Sequence, residues 1–220
     1  MMACRKNALT GAARRAAGLC LAAALSAAVA ATPEEDHRRG EEAFRRGDIV
    51  GAMAALRVAA EAGHAPSQVL LGSILDQAEL NDEALTWYRK AAQQGDAGGE
   101  YGVGTMYLSG EGVGRDAAQA YSWFLRAAER QHGPAVITLA SAYLGAEKGG
   151  LPPGLDKDRA AQWLRKAAAL EHLPALDALA SAYRTGGFGI SPDAAQAEQY
   201  ASRAAAIRSK SAPEKGRKKR

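Results

Sequence analysis

The chain has 220 residues, enough for one large core or two small ones, and 47% of them are hydrophobic. Alanine supplies much of that fraction and only three Phe are present, which favours closely packed helices over a strand-rich core. The 28 basic residues exceed the 24 acidic ones only because of the two ends: residues 31–208 hold 18 basic and 23 acidic side chains, a net of −5, which excludes a basic nucleic-acid-binding body.

The N-terminal segment reads as a secretory signal over residues 1–30. Arg5, Lys6, Arg14 and Arg15 form a basic region, Ala16–Ala28 is an uncharged apolar run, and Ala28 and Ala30 supply the small residues that a signal peptidase reads. The run falls short of the roughly 20 apolar residues of a membrane span; an uncleaved anchor is the alternative. Cys4 and Cys20 both lie in this segment, so the exported protein is expected to carry no disulfide, although its compartment permits them.

After it, the chain repeats itself. WYRKAAQQGD (from Trp87), WFLRAAERQH (from Trp123) and WLRKAAALEH (from Trp163) are three copies of one sentence, with a fourth from Tyr200 and a weaker one from Ala55. The steps between them are 32, 36, 40 and 37 residues, the period of a helical array. A second recurring piece precedes each full copy: VLLGSIL, YGVGTMY, ITLASAY and DALASAY. Its apolar spacing predicts a first helix, A, packed against a second helix, B. Gly72, Gly104, Ala140 and Ala180 mark where the partner helix approaches closely, with the Ala pairs 91–92, 127–128 and 167–168 as the facing surface. Asn81-Asp82, Asp116, Asp156–Asp158 and Pro192-Asp193 are start signals for helix B.

These elements give five antiparallel helix pairs at about 35–62, 65–94, 97–131, 133–170 and 173–208. Stacked units of this kind bury one another's apolar faces, which needs at least three of them. The alternating Gly110, Gly112 and Gly114 fall between helices A and B of the third pair. A dinucleotide loop requires a preceding strand, and a helix stands there instead, so they read as a hairpin turn and not a phosphate site.

The pattern LG-x-x-Y, G-x-G-V, D-x-x-x-A, W-[YF] and [RK]-A-A-x-x-G resembles the Sel-one-like repeats (SLR), a subclass of tetratricopeptide-like solenoids. Residues 101–132 are nearly a consensus copy. The resemblance covers about 38–208 and implies an all-α fold, a right-handed α/α superhelix. The first pair, with its short Gly47-Asp48 turn, departs toward a plain tetratricopeptide repeat, and the fourth carries the insertion KGGLPPGLDKD.

Candidate chemistry is sparse. His64, His132 and His172 sit where helix B turns into the next helix A, a position that Asp96 also fills. Repeat-equivalent sites lie roughly 10 Å or more apart, whereas zinc ligands converge to about 2 Å from one ion, so no metal and no cofactor is expected. Trp87, Trp123, Trp163 and Tyr200 are expected to pack between hairpins, each indole N–H finding an edge acceptor. No mature Cys and no G-x-S-x-G elbow are present, so no catalytic residue is assigned.

The expected function is an exported interaction scaffold, not an enzyme, in the periplasm or secreted. The repeat pattern implies that its partner, a peptide or protein, meets the concave face through Val69, Ser73, Tyr101, Thr105, Ile137, Ser141, Asp177 and Ser181. The alternative is a cell-wall or polysaccharide-acting enzyme or glycan-binding protein using the Tyr and Trp residues. The tail, residues 209–220, holds six basic residues and one acidic and is expected to be disordered, either simply solvated or an electrostatic tether to an anionic envelope surface.

Overall fold

Capping chemistry decides where these helices begin. Thr32 and Glu35 form a reciprocal capping box at the first helix, Asp48 accepts from the Gly51 N–H, Asp96 from Gly99, and Asp116 from Gln119. The computed structural model describes residues 31–211, except for the side chains of residues 147–149. The helices are α1 (Pro33–Arg45), α2 (Ile49–Glu61), α3 (Ala65–Gln77), α4 (Asn81–Gln93), α5 (Ala97–Ser109) and α6 (Ala117–Glu129). They continue as α7 (Gly133–Gly149), α8 (Ala160–Ala169) behind a 3-10 turn at Lys157–Arg159, α9 (Leu173–Thr185) and α10 (Ala194–Ser211). Odd-numbered helices are the A helices and even-numbered ones the B helices of five antiparallel pairs, the expected superhelix.

Each helix packs on its neighbours in sequence, and the A helices also meet one another at α3–α5 and α7–α9. One core cluster runs from Ala43 to Met106 and a second from Ala120 to Ala204, with Tyr107 packed against both. The burial is therefore continuous along the stack, as a solenoid requires. Ion pairs bridge successive units on the B side, Arg57 to Glu83 at 2.7 Å and Arg159, in the turn before α8, to Glu129 at 3.2 Å.

The close approach inside each pair is a small residue meeting a large one. A Cβ at Gly104 would lie 2.6 Å from the Phe124 ring, and one at Gly72 would lie 2.9 Å from the Tyr88 ring. The nearest neighbours of these glycines are the aromatic rings and not the Ala pairs. Ala91 and Ala92 lie instead against Gly99, the first turn of the next A helix, so they seal the junction between units. Burial pushes the Tyr88 phenol up to about 12, with the Asp76 carboxylate adding to the shift.

Three boundaries differ from the sequence reading. Helix α4 starts after Leu80, which gives no side-chain cap, because Asn81 is already inside the helix. Helix α7 runs four residues further than the 13-residue A helices and takes up part of the expected insertion. Helix α10 runs through Ser211, so the expected tail begins inside a helix; residues 212–220, like the expected signal at 1–30, lie outside the described residues.

Candidate functional site

The eight candidate residues occupy two register positions, the fifth and ninth of α3, α5, α7 and α9. Four residues apart on a helix is one face. None of the eight is fully buried, and Ser141 and Ser181 are exposed. Adjacent rungs touch: Val69 lies over Gly98 of α5, and the Tyr101 hydroxyl is 3.4 Å from Thr138 Oγ1 of α7. The Tyr101 ring packs between Phe124 and His132, centroids at 5.3 and 5.0 Å. Asp177 is engaged by Arg208 of α10. Thr105 donates its hydroxyl to the Gly102 carbonyl at 2.7 Å. The face is mildly polar, with Ser73, Thr105, Ser141 and Ser181 in one row.

The same register in α1 places His37 and Glu41 as the first rung. The sequence concealed them, because α1 has Arg39-Gly40 where later A helices have an apolar–small pair. Around them sits a cluster with the residue types of a catalytic relay. Ser67 Oγ lies 2.9 Å from His37 Nδ1 and 2.8 Å from His64 Nδ1, and Glu41 Oε1 is 3.7 Å from His37 Nε2. Ser67, however, is 0% exposed, so no substrate can reach its hydroxyl. The cluster clamps α1 to the start of α3.

The other histidines are turn residues. His64, His132 and His172 are the extended residues preceding α3, α7 and α9, with Pro66, Pro134 and Pro174 in the first turns. Burial holds the His132 and His172 imidazoles below the ordinary histidine range, and it does the same for His37. Among the described residues no three His, Cys, Asp or Glu side chains come together as a metal site.

The aromatic row is covered by cations. Lys90 lies 3.9 Å from the Trp87 ring centroid, Arg126 4.6 Å from Trp123, Lys166 4.2 Å from Trp163 and Arg203 5.8 Å from Tyr200, each three residues on. In the first unit both partners are replaced together, by Ala55 and Val58. Trp87 and Trp163 are buried, and Trp163 is covered by Arg159 as well, so neither offers an open face to a sugar ring. The Trp87 indole N–H finds Glu83 at 3.3 Å, as expected, but that of Trp163 has no acceptor among the described residues. The central glycines make a turn: Gly110 ends α5 with φ 87°, and Gly112 packs on the Asn81 backbone.

A family model of the Sel1 repeat matches residues 76–96, 97–132, 138–172 and 173–207, more than half of the chain. A solved Sel1 repeat protein from Oxalobacter formigenes is 26% identical with a TM-score of 0.61, covering 84% of this chain and 73% of that one. A protective antigen of uropathogenic Escherichia coli strains, solved and described as displaying an SLR fold, is also 26% identical, with a TM-score of 0.50 over 80% of this chain and 46% of its own. Over 49 residues the chain is 45% identical to chitin synthase regulatory factor 3 of Schizosaccharomyces pombe. That stretch is 22% of this chain and only 5% of the fission-yeast protein.

Proposed function

The chain belongs to the Sel1 repeat family, and from that membership we propose that it is an interaction scaffold holding a peptide or protein partner along the inner curve of its A helices. The observation that carries this reading is the row of fifth and ninth positions from His37 and Glu41 to Asp177 and Ser181, with no member fully buried. Two neighbouring pairs of A helices, α3–α5 and α7–α9, pack on one another, and no neighbouring pair of B helices does so to the same extent, which favours the A side as the inner one. An extended curved surface of this kind suits a partner held over several units.

In this proposal residues 1–30 direct the protein to the bacterial envelope, periplasmic or secreted, and the basic residues beyond Arg208 add contact with an anionic surface there. Among the described residues no helix is long and apolar enough to cross a membrane. N-terminal sequencing of protein recovered from the producing cells tests the export step, with Ala31 expected as the first residue.

Site-specific photocrosslinking tests the binding face. A benzophenone amino acid at Ser141 or Ser181 is expected to capture one discrete protein, and the same group at Ser122, exposed on helix α6, is expected not to. Crosslinks from Ser122 alone, or from none of the three, would refute the inner-curve reading.

A further inference from the structure

On the edge of the stack where each A helix turns into its B helix, the third and fourth connectors each lean on the start of the preceding B helix. The third connector sits hard on the start of α4, and a Cβ at Gly112 would lie 2.7 Å from the Asn81 carbonyl oxygen. The longer fourth connector leans the same way, with Gly154 over Ala118 at the start of α6. Among the described side chains, a cavity of about 1020 Å³ opens between α7, α8 and the fifth connector.

Its walls are mostly apolar, built from Ala146, Leu151, Ala160, Ala161 and Phe188. The Tyr143 ring joins them, its hydroxyl already donated to the Asp156 carbonyl at 2.7 Å. Two cations, Lys157 and Arg165, and one acid, Asp158, line the rest. Arg165 is held in place: it donates to the Tyr183 hydroxyl at 3.1 Å and its guanidinium lies 6.0 Å from that ring's centroid.

Phe188 is the unexpected member of this wall. It forms with Gly189 the centre of a tight turn closed by the Ile190 N–H on the Gly187 carbonyl at 2.8 Å. Both central residues have positive φ, 50° and 72°. Such a turn ordinarily carries Asn-Gly, because a bulky L-residue is strained in the left-handed region. Strain kept at a cavity wall, on a half-exposed aromatic ring, points to use of that ring.

We propose that this cavity is a second docking site, separate from the inner curve, for an exogenous peptide segment that presents a bulky apolar side chain beside a carboxylate. The apolar walls receive the side chain, and Arg165 and Lys157 receive the carboxylate through charge-assisted hydrogen bonds. Among the described side chains two cations face one acid, which disfavours a basic segment, including the chain's own residues 209–220.

The test is selection from a random heptapeptide library displayed on phage, using the full mature chain as bait and the Arg165→Glu variant for subtraction. Peptides with Phe, Leu or Trp next to Asp or Glu are expected to be enriched. Synthetic copies, followed by fluorescence anisotropy, are expected to lose about tenfold or more in affinity on Arg165→Glu and on Phe188→Asn, and to be unaffected by Ser141→Arg. Asn suits the turn, so a cooperative melt of Phe188→Asn separates lost binding from lost folding. No enrichment, enrichment without the acidic–apolar pairing, or affinity indifferent to both connector variants overturns the proposal. Loss of binding on Ser141→Arg alone would assign the peptides to the inner curve and overturn this site while sparing that reading. Dimerisation in sedimentation experiments that Phe188→Asn abolishes would assign the cavity to a second copy and equally overturn it.

Discussion

At the turns that pass from one unit to the next, Gly63, Gly95, Gln131 and Glu171 occupy the same left-handed position, with φ of 90°, 77°, 64° and 60°. Glycine adopts that conformation freely, whereas an L-residue there costs roughly 1–2 kcal/mol. The Gln131 and Glu171 side chains are exposed, so the position tests backbone conformation almost alone. Gln131→Gly and Glu171→Gly are each expected to stabilise the protein by about 0.5–1 kcal/mol, the relief of strain less the greater entropy that glycine loses on folding. Gly63→Ala is expected to cost about 1 kcal/mol, since nothing lies within 4 Å of its Cβ and only the backbone objects. Urea denaturation measures all three, and a destabilised Gln131→Gly would mean that its side chain matters more than its backbone.

Within a helix pair the deciding feature is the size match across the closest approach. Gly40 meets Leu56, Gly72 meets Tyr88 and Gly104 meets Phe124, while the same register pairs Ala140 with Leu164. Gly104→Ala must push the Phe124 ring aside and is expected to cost about 1–3 kcal/mol, even after the gain in helix propensity. Adding Phe124→Leu recreates the Ala–Leu combination of the fourth unit, so the double variant is expected to be more stable than the sum of the singles by about 1 kcal/mol. Additive effects in that thermodynamic cycle would show that the two residues do not share one space. This matching explains why the fold was legible in the sequence: one contact, written in every unit, sets both the period and the pairing. The first unit was less legible because its Gly40 follows Arg39 and not an apolar residue. Most of the candidate face could be read by register, but His37 and Glu41 could not, for the same reason. The extra turn of α7 and the cavity beside it depend on which way a Gly- and Pro-rich connector folds, and no periodicity records that.

Along the stack, in the second and third units, a buried polar group near the start of the A helix pairs with the residue that ends the B helix of the same unit. Gln94 donates to Gln68 at 2.7 Å, and at the equivalent positions one unit on, the Arg130 guanidinium lies 3.3 Å from the buried Glu100 carboxylate. Val136 and Leu170 hold those positions in the fourth unit, so the chemistry is exchanged in matched pairs. The imidazoles occupy the same zone. His37, His132 and His172 are each held below the ordinary histidine value of 6.5, chiefly because burial penalises the charged ring. Glu41 and Asp96 pull the first two back toward protonation, but burial prevails. A folded-state value below the unfolded one means that the unfolded chain binds more protons as the pH falls below 6.5, so stability is full above that pH and declines beneath it. A unit array transmits such losses, because each junction supports its neighbours. Melting temperatures are therefore expected to fall between pH 7.5 and 5.5, a window that lies above the ordinary range of carboxylate titration. In the His37→Gln, His132→Asn, His172→Asn triple variant the decline is expected to flatten. Asn should also cap α7 and α9, which His132 and His172 leave without a side-chain hydrogen bond, so the variant should melt higher throughout. A wild-type profile that is level over this window, or a triple variant that falls as steeply, would show that these rings titrate alike in the folded and unfolded chains.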